Sequence, residues 1–299
     1  MFLRNFKIDT SRAREFWPRQ VDSLEELPAP YRPYLQKWLD QGMPVSQIIF
    51  VRQTNHWVTE KPEYVVAWHK NRVLHVQRHL AGGVIPTEFS ANTVLYALYA
   101  HRLLDNRLTV CFQGCNGPQK VLLHFNAAKE DLFYPLFELL LQNAFTKPGE
   151  ARERNQAETV ASLREKTYKM CGYLELMYRF GDTISAYFWD KNITPEQQKR
   201  NEKSLKRIED TEYLAGLMEQ GVALEKISEN CIDLVYVFRH AVRQVSLQSA
   251  ADGSALLAVA GPGAETFYVP VKQQNLSEAQ DFVRACADAQ RRFAPTADA

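Results

Sequence analysis

Residues 63–77 read EYVVAWHKNRVLHVQ, and residues 212–226 read EYLAGLMEQGVALEK. Each stretch opens on Glu-Tyr, runs through apolar residues, turns on a polar pair and resumes an apolar run. That is the pattern of two strands joined by a tight turn. The copies lie 149 residues apart, and the same offset pairs Val73 with Val222, Asn126 with Asn275 and Phe133 with Phe282. The facing of Leu74 and Val76 against Val222 and Leu224 suggests a one-residue slip between the copies. Identity is low, but strand, hairpin, turn-rich loop and final amphipathic helix recur in one order, which predicts a duplicated β-rich module.

Working outward from the first copy, SQIIFVRQ, EYVVAWHK and RVLHVQR are short runs rich in Val, Ile and aromatics. Asn71-Arg72, Gly82-Gly83 and Asn116-Gly117 punctuate them as turns. VLYALYAHRLL fits helix or strand equally on periodicity. After KVLLHF, Asn126 is an N-cap for a helix that turns Leu132, Phe133, Leu136, Phe137 and Leu140 inward. Upstream, Ser23 and Glu26 have capping-box spacing, and residues 31–41 place Tyr34, Leu35, Trp38 and Leu39 on one helical face before Gly42. Downstream, KPGEARERNQ reads as a charged linker. Val160, Leu163, Thr167, Met170, Leu174 and Met177 then mark an amphipathic helix ending near Gly181. DTISAYFW is a strand, and ITPEQQKRNEKSLKRIED is a short solvated helix capped by Thr194 with Pro195 behind it.

The resulting expectation is an α+β chain: a lead-in with a short helix at 1–42, a first module at 43–145, a charged linker and helix at 146–181, a second module at 182–293 and a tail at 294–299. At 299 residues, 45% hydrophobic and 24% charged, the composition is that of a globular protein with material for two cores. Lys+Arg 36 against Asp+Glu 35 leaves a net charge of +1, so no global field draws the chain to nucleic acid or to a membrane. The N-terminus lacks a signal-peptide pattern and no long apolar run suggests a spanning helix. The 5 cysteines fit free thiols in a reducing compartment, so the cytoplasm is the expected location.

An antiparallel half-open barrel closed at one end by a C-terminal amphipathic helix is the pleckstrin-homology-like architecture, and 45–142 and 182–291 both resemble it. The features that carry the resemblance are the strand pair ending in VLHVQ, the IPTEFS turn and HFNAAKEDLF leading into the helix. More narrowly, the chain resembles uncharacterised bacterial proteins with tandem domains of this kind. The resemblance implies two antiparallel barrel or sandwich modules, binding through loops, strand edges or a groove beside the helix. Neither terminal helix carries the tryptophan common in eukaryotic relatives, so lipid binding is not carried over with the fold.

No local motif names a reaction. Cys111 and Cys115 lack a second cysteine pair for zinc; His101 and His124 have no spacing that brings them there. His69, His75 and His79 share strand parity and read as partly exposed histidines on an open sheet face. Gly261-Pro262-Gly263 lacks the Lys-Ser/Thr tail of a phosphate loop, and no nucleophile-elbow pattern occurs. Catalytic, cofactor and metal residues are therefore assigned to none. Two candidate binding features stand out. Lys199, Arg200, Lys203, Lys206 and Arg207 form a basic cluster suited to weak, salt-sensitive attachment to an anionic surface. His56 and Trp57 sit in an expected loop, where an exposed aromatic can anchor a protein partner. The leading reading is a non-enzymatic binding or scaffolding protein with a protein partner. The alternative is an enzyme with a site at the junction of the modules.

Overall fold

Apolar runs without alternation, such as YVVAW in the first copy, require sheets covered on both faces, and the architecture supplies the covers. A computed structural model describes residues 17–56, 59–79, 82–102, 105–142, 159–172, 184–192, 211–228, 231–249 and 254–293. The chain divides into two units: Met1–Ala91 with Leu104–Asn106 and Leu123–Leu139, and Asn92–Leu103 with Arg107–Leu122 and Leu140–Ala299. The fold is α+β, with antiparallel sheets that stay open rather than closing into barrels. Among the described residues no helix is long and apolar enough to cross a membrane.

In the first unit, β1 (Arg19–Gln20) and β2 (Ile48–Val51) precede a separate small hairpin, β3 (Thr54–His56) with β4 (Thr59–Lys61). The 63–77 stretch then forms β5 (Tyr64–His69) and β6 (Arg72–Arg78), followed by β7 (Val84–Ser90), in the order β1-β2-β5-β6-β7. Helix α1 (Arg32–Asp40) and the lead-in cover one face, packing Leu27, Leu35 and Trp38 on Phe50, Val65, Ala67, Leu74 and Val76. The buried stripe is Tyr31, Leu35 and Trp38, while Tyr34, expected inside, is 37% exposed. Gly42 ends the helix in a left-handed conformation (φ 88°), as expected of a stop. The expected capping box is not formed. Ser23 makes no side-chain cap bond, and Leu24–Glu26 is a single 3-10 turn.

The opposite face of that sheet buries Tyr64, Val66, Val73 and His75. His75 is 3% exposed with its ring 5.2 Å from that of Tyr64, so the expectation of partly exposed histidines fails there. His69 lies on the other face, because the pair Val66↔His75 sets its parity opposite to that of His75, and His79 is exposed past the strand end. Asn126 accepts a bond from Ala128 N at 2.8 Å as the cap of a 3-10 turn, Ala127–Phe133, and α2 begins only at Tyr134 (Tyr134–Gln142). Phe133 is fully buried and stacks on Phe125 at 4.1 Å.

Most of β8 (Val94–Arg102), β9 (Asp105–Gly114) and β10 (Gly117–Asn126) belongs to the second unit, so VLYALYAHRLL is a strand. After α3 (Thr159–Lys166), which resumes as helix at 168–172, come β11 (Ile184–Asn192), β12 (Thr211–Met218), β13 (Gly221–Ser228) and β14 (Cys231–Phe238). They complete a seven-stranded sheet, β10-β9-β8-β14-β13-β12-β11, in which β8 pairs antiparallel with β14 from Arg102↔Cys231 to Tyr96↔Val237. A three-stranded sheet follows: β15 (Gln244–Ser249), β16 (Ala255–Ala260) and β17 (Thr266–Val271). It shares its core with α4 (Leu276–Phe293), where Phe282 is 2% exposed among Leu257, Val259, Val269 and Val271.

A meander of four, three further strands and a helix thus occur twice in chain order. The ladders keep the 149-residue offset in both strands of the hairpin: Val65↔Val76 in the first copy answers Leu214↔Glu225 in the second. The expected one-residue slip is therefore absent. Both faces of each hairpin are apolar, which made either facing look acceptable. Asn275, however, does not repeat the role of Asn126. It ends the 3-10 turn Gln273–Asn275, whose N-cap is Lys272.

Candidate binding edge beside the terminal helix

An antiparallel sheet leaves two edge strands with unpaired main-chain groups, and proteins ordinarily blunt them with charge or proline. Here β1 carries Arg19, β7 carries Pro86 and Glu88, β10 carries Pro118 and Lys120, β11 carries Asp190 and Lys191, and β17 carries Pro270. The sixth edge of the three larger sheets, β15, reads QVSLQS and has neither device. It pairs with β16 from Gln244↔Ala260 to Ser249↔Ala255, and no described strand lies on its other side. Val245 and Leu247 face the core; Gln244, Gln248 and Ser249 are exposed.

A shallow, solvent-open depression with room for about one water molecule adjoins the start of this strand. Its floor is apolar, from Leu217 and Val222 near the β12–β13 turn, Val242, Val245, and Cys286 and Ala289 of α4. Arg239 and Gln290 supply the polar rim, and Gln290 Nε2 donates to the carbonyl of Val242 at 3.4 Å. Burial pushes the Cys286 thiol up to about 12, so this lining cysteine is a small hydrophobe rather than a nucleophile at neutral pH. The depression offers an apolar contact surface rather than a side-chain pocket, and the neighbouring strand edge can bind main chain.

The other polar groupings read as structural. Cys111 is buried, with its thiol pushed up by desolvation, while Cys115 is exposed in the hairpin turn. His124 Nε2 bonds Asp105, Asn106 Nδ2 donates to Glu130 at 3.1 Å, and Lys120 Nζ pairs with Glu265 at 2.6 Å. Asp190, 1% exposed, accepts from the backbone N–H of Lys191 and of Lys272, tying β11 to the turn before α4. Among the described residues no group of three or more His, Cys, Asp or Glu is placed to hold a metal ion.

Of the residues singled out in the sequence, Lys199, Arg200, Lys203, Lys206 and Arg207 lie outside the described residues, as does Trp57. His56 is the last residue of β3, paired with Thr59, rather than part of an open loop. The sequence did contain a signal for the β15 edge, the absence of charge and proline. It gave no means of knowing that, unlike β8, this strand would have no described strand on its second side. No protein-family model matches the chain, and no characterised protein matches it in sequence.

Proposed function

We propose that this chain is a binding or scaffolding module of tandem pleckstrin-homology-like type, and that it takes an extended segment of a partner protein along the open edge of β15 beside α4. The repeated order of four strands, three strands and a helix supports the family reading. One observation carries the functional reading: of the edges of the three larger sheets, β15 alone lacks both charge and proline. An added antiparallel strand satisfies the main chain, and a side chain at its end can rest on the shallow apolar surface of Val242, Val245 and Ala289. The reading needs no catalytic group, which fits a depression whose thiol stays protonated.

The test is selection of extended peptides from a random display library on the full chain, repeated on a Ser246→Lys, Gln248→Lys variant. Charges placed on this edge leave β15 paired with β16 but disfavour an added strand. Selected peptides should bind the wild type and lose at least about tenfold in affinity on the variant, a change of about 1.4 kcal/mol. Failure to select peptides, or selected peptides indifferent to the two lysines, would overturn the proposal.

A further inference from the structure

We propose that Glu225 makes the seating of the 159–172 helix on its sheet pH-sensitive, tight while the carboxyl carries its proton and looser as it ionises. The pair Leu214↔Glu225 and the pair Glu225↔Leu234 place this side chain on the sheet face it shares with Glu212, Ile232, Leu234 and Tyr236. The helix bears on that face: Thr167 Oγ1 donates to Glu212 Oε2 at 2.7 Å, with Val160, Leu163, Met170 and Cys171 buried alongside. Glu225 itself is 2% exposed, and neither carboxyl oxygen has a hydrogen-bond partner. Glu212 is held differently, by Thr167, by Trp189 Nε1 at 3.2 Å and by Lys191 Nζ at 3.9 Å.

The surroundings of Glu225 offer an ionised carboxylate no compensation. From β12 it faces the carboxylate of Glu212, from β11 Lys191 reaches Glu212, and from β14 only Ile232, Leu234 and Tyr236 share its face. Cys171 is the buried titratable group of the helix, whose Arg164, Glu165, Lys166 and Lys169 are exposed. Burial, with Glu212 beside it, therefore holds the Glu225 carboxyl well above its usual range. β13 is laddered on both sides, and the helix is held to the same face through the adjoining Glu212, so water reaches an ionising Glu225 more readily by displacement of the helix than of a strand.

The sign follows from the raised value. The seated state keeps a proton that the open state releases, from the ordinary carboxylate range upward, so seating weakens as pH rises through that window and levels off beyond it. One proton sets the limit, about tenfold in the opening equilibrium per pH unit.

Hydrogen exchange of the full chain, followed by mass spectrometry from pH 5.5 to 8.5 and corrected for intrinsic rates, reads the seating directly. Protection of 160–172 should fall by up to about tenfold per pH unit in the wild type and stay level in Glu225→Gln. A level wild type, or the same slope in Glu225→Gln, overturns the proposal. Should Glu225→Gln fail to fold, Glu212→Gln serves: removing the neighbouring charge moves the window to lower pH, and an unmoved window is equally fatal.

Discussion

Val76 and Glu225 occupy the same ladder position in the two copies of the hairpin, Val76 opposite Val65 and Glu225 opposite Leu214. Both are buried, at 0% and 2% exposure, yet one is a hydrocarbon and the other a carboxyl group without a partner. The exchange Glu225→Val should therefore stabilise the protein. A buried polar group left unsatisfied costs roughly 1–3 kcal/mol, and a gain of that order should appear in the midpoint of chemical denaturation at pH 7. The reverse exchange, Val76→Glu, should destabilise by at least as much.

His75 predicts a pH dependence of opposite sign. Burial lowers its value from 6.5 to about 4, so it stays neutral in the fold while the unfolded chain takes up a proton between those limits. Stability is fully present above about 6.5 and is lost as pH falls towards 4, by roughly 3 kcal/mol over the window. Denaturation midpoints taken across that range should flatten in His75→Leu; an equally steep acid loss in the variant would move the cause elsewhere.

Phe133 and Phe282, 149 residues apart, both pack inside their own cores at 0% and 2% exposure. Truncation of either to alanine should cost about 3–5 kcal/mol. For Phe133 the loss includes its stacking on Phe125, so Phe133→Leu should recover only part of it. Thermal melts of the three variants give the comparison.

A second shared device ties each covering segment to its sheet. Tyr31 Oη donates to Glu63 Oε1 at 3.0 Å, and Thr167 Oγ1 donates to Glu212 Oε2 at 2.7 Å. Both glutamates keep other partners, Arg78 for the first and Trp189 and Lys191 for the second. Tyr31→Phe and Thr167→Val should accordingly each cost about 1–2 kcal/mol, the range for a bond to a charged group with remaining compensation, read from denaturant titrations.

The repeated order of elements was legible because the Glu-Tyr strands and the two phenylalanines near the final helices keep their spacing even where identity is lost. Facing was not legible: when α1 buries Leu74 and Val76 and the other side of β6 buries Val73 and His75, apolar residues occur on both parities and period-two reasoning has nothing to hold. The same double burial hid His75, whose polar character suggested an open face. Glu225 gave no sign either, because its isolation depends on which side chains share its face from β12 and β14. The β15 edge was visible as composition, but its openness is a property of pairing, and nothing in QVSLQS tells it apart from a strand that finds a partner.

The pairing of β8 with β14 has a consequence for the order in which the polypeptide is made. Arg102 and Asp233, bonded across that seam, are 131 residues apart. A ribosome that has just released β8 must add β11 through β14 before that edge is covered, and closing so long a loop costs about 4 kcal/mol of chain entropy. A nascent chain halted at the end of the first repeat would hold a nine-residue strand with an uncovered flank, an invitation to pair with its neighbours on the same polysome. Cutting the gene at the repeat boundary should for the same reason yield two sticky fragments rather than two independent domains, and co-expressing them should rescue both.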